Sequence, residues 1–164
     1  MAVCRCLAWP DPCLRTAAEA VEAITEEICA IWQDMIDTME AMPGVGLAAP
    51  QIGVMLRRAV VDASQTRGRV IYLANPEIMQ SSTENYEHEE ASPNLPGVST
   101  RISRPKSVLV RFMNEQGMID IREFTDLWAI SVQHQIDHLN GKMYFDNLSQ
   151  LRRRMLLKKA RKAK

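Results

Sequence analysis

Apolar positions recur every three to four residues from Ile28 through Ile31, Trp32, Met35 and Met39 to Met42, behind Thr25 and the acidic pair Glu26 and Glu27. That spacing, with a helix-capping hydroxyl and carboxylates in the first turn, predicts an amphipathic helix that Pro43-Gly44 ends. Residues 44–53 are too rich in glycine for a helix and too irregular for a paired strand, so they read as a loop. Short β-rich runs follow at 58–62, 70–73, 107–112 and 118–122, the last two joined through Met113-Asn-Glu-Gln-Gly117 as a hairpin. A second helix is expected from about 125 to 140, with Thr125 as its N-cap, Asp126 in its first turn and Gly141 just past its end. A third begins near Ser149 and runs to 164. Helix, antiparallel strands and two further helices, without strict βαβ alternation, make an α+β fold. There is neither a linker nor an internal repeat, so 1–164 is expected to be one domain.

Composition sharpens this picture in three places. With 46% hydrophobic and 24% charged residues among 164, disordered, collagen-like and repetitive chains are excluded. No apolar run approaches the ~20 residues that span a bilayer, and no basic segment precedes an apolar one at the N-terminus, so a cytoplasmic protein that makes no membrane contact is expected. Cys4, Cys6, Cys13 and Cys29 crowd the first 29 residues, where a disulfide framework would staple only one end of the chain. They read as free thiols, and no further Cys or His follows at zinc-finger spacing.

Charge changes the picture more. The net charge is zero, yet residues 152–164 hold 8 of the 20 basic side chains and none of the 20 acidic ones. A tail of this kind fits a polyanion such as RNA, and fits equally a helix whose solvated basic face suits the C-terminal end of its dipole.

The residues that carry chemistry lie on the second predicted helix. His134-Gln-Ile-Asp-His138 places two imidazoles four residues apart on one face, where both can grip one metal ion. In the zinc-hydrolase version of this pattern, a Glu after the first His takes a proton from metal-bound water and delivers it to the leaving group. Here that residue is Gln135, whose amide keeps the shape and cannot carry the proton. Losing such a group costs ~10²–10⁴-fold in rate.

From end to end the chain resembles the peptide deformylases, metal hydrolases that remove the formyl group from the N-terminal formyl-methionine of new chains. Their first motif, Gly-x-Gly-Leu-Ala-Ala-x-Gln, stands here as Gly44-Val-Gly-Leu-Ala-Ala-Pro-Gln51, and their third, His-Glu-x-Asp-His-Leu-x-Gly, as His134-Gln-Ile-Asp-His-Leu-Asn-Gly141. The stretch Lys142-Met-Tyr-Phe-Asp146 with Asn147-Leu-Ser149 matches the family's lead into its C-terminal helix. The second motif, Glu-Gly-Cys-Leu-Ser followed two residues later by Pro, is replaced by Glu90-Ala-Ser-Pro-Asn94-Leu-Pro96.

The resemblance implies a metal, zinc or ferrous iron, held by His134, His138 and the residue at position 92. It implies an oxyanion hole made from the Gln51 side chain and the backbone N–H of residue 93. Gly44, Val45, Gly46, Leu47 and Leu95 are placed as substrate-binding, and Ile52, Ile130 and Val132 lie near a methionine pocket or in ordinary core. Glu90, Arg104 and Asp137 correspond to a buried ion pair behind the site, or else are three solvated charges. The C-terminal helix implies docking on the ribosome near emerging chains through Arg152, Arg153, Arg154, Lys158 and Lys159, with no DNA partner and a monomeric state.

Three parts of that machinery are altered together. Ser92 offers a hydroxyl, far harder to ionise than a thiol and a poor partner for a borderline-soft cation. Pro93 has no N–H to donate. The losses at Pro93 and Gln135 together reach ~10⁴–10⁷-fold if independent, and less where groups act as a unit. His88 does not replace the missing ligand, since four extended residues span roughly 13 Å. The sequence therefore predicts a deformylase-like protein with weakened or absent metal binding and little or no deformylation. Its rival is an active hydrolase in which His134, His138 and Ser92 or water hold the metal and Gln135 orients the attacking water. A supporting role beside an active partner has nothing in the sequence that speaks for it.

Overall fold

A computed structural model describes residues 3–42 and 44–163. Pro43, expected to end the first helix, lies outside the described residues. Helix α1 (Glu26–Ala41) begins at Thr25, whose hydroxyl accepts from the Ile28 N–H at 3.4 Å. Of the positions read from the spacing, Ile28, Trp32, Met35 and Met39 are buried, joined by Thr38, while Ile31 and Met42 pack half-buried beside them.

Strands β1 (Gly46–Ala48), β2 (Arg58–Val61), β3 (Ile71–Ser81), β6 (Ser107–Met113) and β7 (Ile119–Thr125) form an antiparallel sheet in the order β1-β2-β3-β6-β7. Between β3 and β6 in the chain, β4 (Asn85–Ser92) and β5 (Leu95–Pro105) make a separate hairpin. Helix α2 (Asp126–Leu139) and the basic α3 (Gln150–Lys162) complete the α+β arrangement.

β2 is covered on both faces. Ala59 and Val61 meet α2 residues in one cluster, while Val60 packs with α1 side chains in another. A third cluster joins Leu14, Leu95, Met143, Tyr144 and Phe145 to Leu156 and Ala160 of α3. The motifs singled out in the sequence are thus carried on α2, on the β1 turn and on the β4–β5 hairpin.

Four expectations need correction. Within 44–53, read as an unpaired loop, residues 46–48 form β1 and pair antiparallel with β2. The strand expected at 70–73 continues to Ser81 through two register shifts, with Asn75 at φ 51 exchanging two 2.7 Å bonds with the Val21 backbone. The β4–β5 hairpin was not predicted, because the inward positions of β4 carry Tyr86, His88 and Glu90 rather than aliphatic residues. Thr125 sits at the N-cap of α2 without a side-chain capping bond, since the chain turns through Asp126 at φ 54 and the Asp126 N–H donates to the Lys106 carbonyl at 3.0 Å.

Candidate functional site

α2 brings His134, Gln135 and His138 to one buried place, with the two imidazole Nε2 atoms 3.2 Å apart. His134 is fixed from behind. Its Nδ1 lies 2.8 Å from Glu90 Oε1, and Arg104 donates to both Glu90 oxygens at 2.7 and 2.9 Å and to Asp137 at 2.9 Å. The expected ion pair is therefore real and extends to the first imidazole. Burial alone raises the Glu90 pKa, and the bonds from His134 and Arg104 outweigh it, so the carboxyl ionises below its usual range. Burial, then the neighbouring His134 and Arg104 charges, push His138 well below the ordinary imidazole value and hold it neutral.

The second motif is rebuilt around a polar bracket. Ser92 Oγ accepts from the Asn94 N–H at 3.2 Å and lies 3.1 Å from Asn94 Oδ1, closing the two-residue turn between β4 and β5. Asn94 in turn accepts from Gln51 Nε2 at 2.8 Å and donates to the Leu7 and Gln51 carbonyls at 2.6 and 3.1 Å. The remaining contact of Gln51 Nε2 is Ser92 Oγ at 3.5 Å, while its Oε1 accepts from the Ala48 N–H at 2.9 Å. Gln51, expected to remain as the side-chain oxyanion donor, is thus bonded to Asn94 and Ser92.

Beside the imidazoles lies a hollow of about 230 Å³, lined by Gly44, Val45, Gly46, Ile130, His134 and Gln135, with Pro93 at its edge. Ser131 Oγ donates to the Val45 carbonyl at 2.9 Å and holds the wall in place. Gly46 is required by close approach, because a Cβ there would sit 2.5 Å from Gln135 Nε2 and 2.6 Å from Ser131 Oγ. Gln135 Oε1 is buried and has no partner among the described residues.

Some expected pocket residues are elsewhere. Leu47 alternates to the other face of β1 and packs in the cluster of α1 with Trp32, Met35 and Met39, and Ile52 joins that cluster. Leu95 opens β5 on the side facing α3, among Met143, Leu156 and Ala160. Val132 packs in the cluster formed with the sheet. Conversely, Leu127 and Ser131 line the hollow and were missed; they share the 127-130-131-134 helical face, a spacing that would have found them. His88 lines the same hollow, stacked on Tyr86 at 6.2 Å, and stands four positions before Ser92 on β4.

Two imidazole nitrogens at this separation fit one tetrahedral ion, for which bonds of ~2.0–2.1 Å set the nitrogens a little over 3 Å apart. The third position does not fit. Ser92 presents a neutral hydroxyl already bonded to Asn94, and among the described residues no three His, Cys, Asp or Glu side chains are placed to hold a metal.

The profile of the polypeptide deformylase family matches residues 3–154. The chain belongs to the polypeptide deformylase family. It is 40% identical to the peptide deformylase of Hydrogenovibrio crunogenus over 154 residues, covering 94% of this chain and 90% of that one. With the peptide deformylase of Afipia carboxidovorans the identity is 39%, over 99% and 96% of the two chains. Among solved structures, the peptide deformylase of Legionella pneumophila superposes with a TM-score of 0.92 at 39% identity, covering 98% and 95%. That of Ehrlichia chaffeensis in complex with actinonin gives 0.92 at 31%, covering 99% and 98%. This chain of a metal-dependent family carries Ser92, Pro93 and Gln135 near its two helix imidazoles, with the Glu90–Arg104–Asp137 network behind them.

Proposed function

We propose that this deformylase-family protein retains a pocket for the N-terminal end of a formyl-methionyl chain and has lost most of the family's hydrolytic power. The observation that carries the proposal is the Ser92–Asn94–Gln51 bracket, which engages the hydroxyl at the third ligand position and the amide of the oxyanion side chain in bonds to each other. A bound metal would supply an activated water. The residues here do not complete its ligand set.

What the remaining residues can do is bind and orient. Val45 and Ile130 give the hollow apolar walls for an unbranched side chain. Gln135 holds an unmatched acceptor beside His134, so it can receive an N–H from a bound chain end and cannot relay a proton from water. Pro93 withdraws the backbone donor that would face a developing oxyanion.

The proposal extends to place and partner: a cytoplasmic protein whose basic α3 meets the ribosome. Arg153 pairs with Asp146, whereas Arg152 bonds only to neutral oxygens, so the outward charge of this surface rests on Arg152, Arg154, Lys158, Lys159, Arg161 and Lys162. Among the described residues no helix is long and apolar enough to cross a membrane.

A restoration series tests the reading. Ser92→Cys, Pro93→Leu, Asn94→Ser and Gln135→Glu, singly and together, are assayed for bound metal and for formate released from formyl-Met peptides. Metal stoichiometry rises with Ser92→Cys and turnover appears only in the combined variant. A combined variant that binds metal and turns over no faster than wild type contradicts the assignment of the defect to these positions.

A further inference from the structure

We infer that the free edge of β7 is a self-association surface, on which a second copy of this chain pairs antiparallel about Ile121 to extend the sheet from five strands to ten. β7 is the last strand in the order β1-β2-β3-β6-β7, bonded to β6 on one side and, among the described residues, to no strand on the other. Its outer backbone groups are unpaired ladder donors and acceptors of the kind another strand can take up.

The side chains along this edge are unusual for one meant to stay bare. Ile119 and Ile121 on the outward face are 53% and 55% exposed, and Met118 just before them is 62% exposed. On the core-side face, Asp120 stands opposite Phe112 and Arg122 opposite Val110 of β6, while Phe124 is buried. Neither Asp120 nor Arg122 joins an ion pair among the described residues; the Arg122 guanidinium lies 5.8 Å over the Phe124 ring. Inward-pointing charges discourage strand addition, most strongly where an incoming copy sets like charges opposite one another. This edge carries opposite signs two residues apart.

That pattern selects a register. A two-fold axis normal to the sheet must pass through a residue, so that core-side faces stay on the same side in both copies. With the axis through Ile121, each Asp120 faces the other copy's Arg122, Ile121 faces its own equivalent, and Ile119 lies against the stem of Glu123. Moving the axis to residue 120 sets Asp against Asp, and moving it to 122 sets Arg against Arg. Only the Ile121 register pairs unlike charges twice while covering exposed isoleucine with isoleucine. One strand pair with three exposed apolar side chains a copy is less area than a permanent dimer buries, so the association is reversible and concentration-dependent. This departs from the monomer expected from the sequence.

Sedimentation velocity on the full chain from micromolar to millimolar concentration tests it, beside Asp120→Arg, Arg122→Asp and the double exchange. Wild type moves from monomer to dimer; each single change weakens the dimer by about tenfold or more, and the double exchange restores it because the pairing is recreated with signs reversed. A second readout needs no charge change: mild oxidation of Ile121→Cys links the two introduced thiols to each other, identified by peptide mapping. A wild type that stays monomeric throughout, a dimer indifferent to both single changes, or an introduced thiol that never finds its equivalent overturns the inference.

Discussion

Asn94 is 1% exposed and its side chain joins Gln51, Ser92 and the Leu7 carbonyl, so it holds together three segments that are distant in sequence. Asn94→Ala leaves the Gln51 amide and the Leu7 carbonyl without their partner, and a loss of about 1–3 kcal/mol is expected in chemical denaturation. Arg104 shows the same logic with charge. Arg104→Met strands the buried Glu90 carboxylate, which should cost about 3–5 kcal/mol even though the replacement fills the space. The opposite sign is expected at Arg58. Its guanidinium is fully buried on the face of β2 toward α1, donates only to the Ile28 carbonyl at 3.4 Å, and leaves Nε and Nη2 without partners among the described residues. Burial lowers its pKa, the mark of a charge held without compensation. Arg58→Met should therefore raise the denaturation midpoint, by about 1–4 kcal/mol in stability; a lower midpoint would mean that the guanidinium has a partner the described contacts do not show.

At the scale of elements, what was legible followed from where apolar residues face. α1 and α2 carry apolar stripes against the sheet, and both were readable to within a residue or two at their ends. β4 and β5 were not. Their pairing orients Glu90 and Arg104 toward α2 and leaves Ser92 buried against Asn94 and Gln51, so the positions that would announce a strand are occupied by polar groups. The site residues on α2 were legible from a four-residue spacing, whereas the capture of Gln51 by Asn94 depends on a contact across 43 residues that no local pattern reports. The same cause misplaced Leu47 and Leu95: motif membership set them beside the pocket, and strand alternation turned each to the opposite side. Gly46 tests the packing of β1 on α2. Gly46→Ala drives a methyl into Gln135 and Ser131, and should cost about 1–3 kcal/mol while closing the hollow, measurable as lost affinity for a formyl-Met peptide.

For the molecule as a whole, acid sensitivity follows from three carboxylates, Glu90 beside His134 and two away from the site. Burial raises the pKa of Asp146, but bonds from Arg15, the Met143 N–H and Arg153 outweigh it; at Asp62, burial is likewise outweighed by Ser64, the Arg69 N–H and the Arg67 charge. A folded-state value below the unfolded one means that stability from these groups is present above the usual carboxylate range and is lost as pH falls through it. Melting temperature should drop on acidification through that window, and Asp146→Asn should flatten the drop; an unchanged slope would remove Asp146 from the account. The outward basic face of α3 makes a separate prediction: Arg152, Arg154, Lys158, Lys159, Arg161 and Lys162 changed to Gln should abolish salt-sensitive co-sedimentation with ribosomes, and unchanged co-sedimentation refutes that partner.

The central claim is that a hydroxyl held by Asn94 and an amide beside His134 do not do the work of a thiolate and a carboxylate. It is tested most directly by measuring formate release from formyl-Met peptides by the wild-type chain, purified without a tag and supplied with excess ferrous iron or zinc under anaerobic conditions. The expected rate is lower by ~10⁴-fold or more than that of an active family member assayed beside it. Release at a rate comparable to that relative would contradict it.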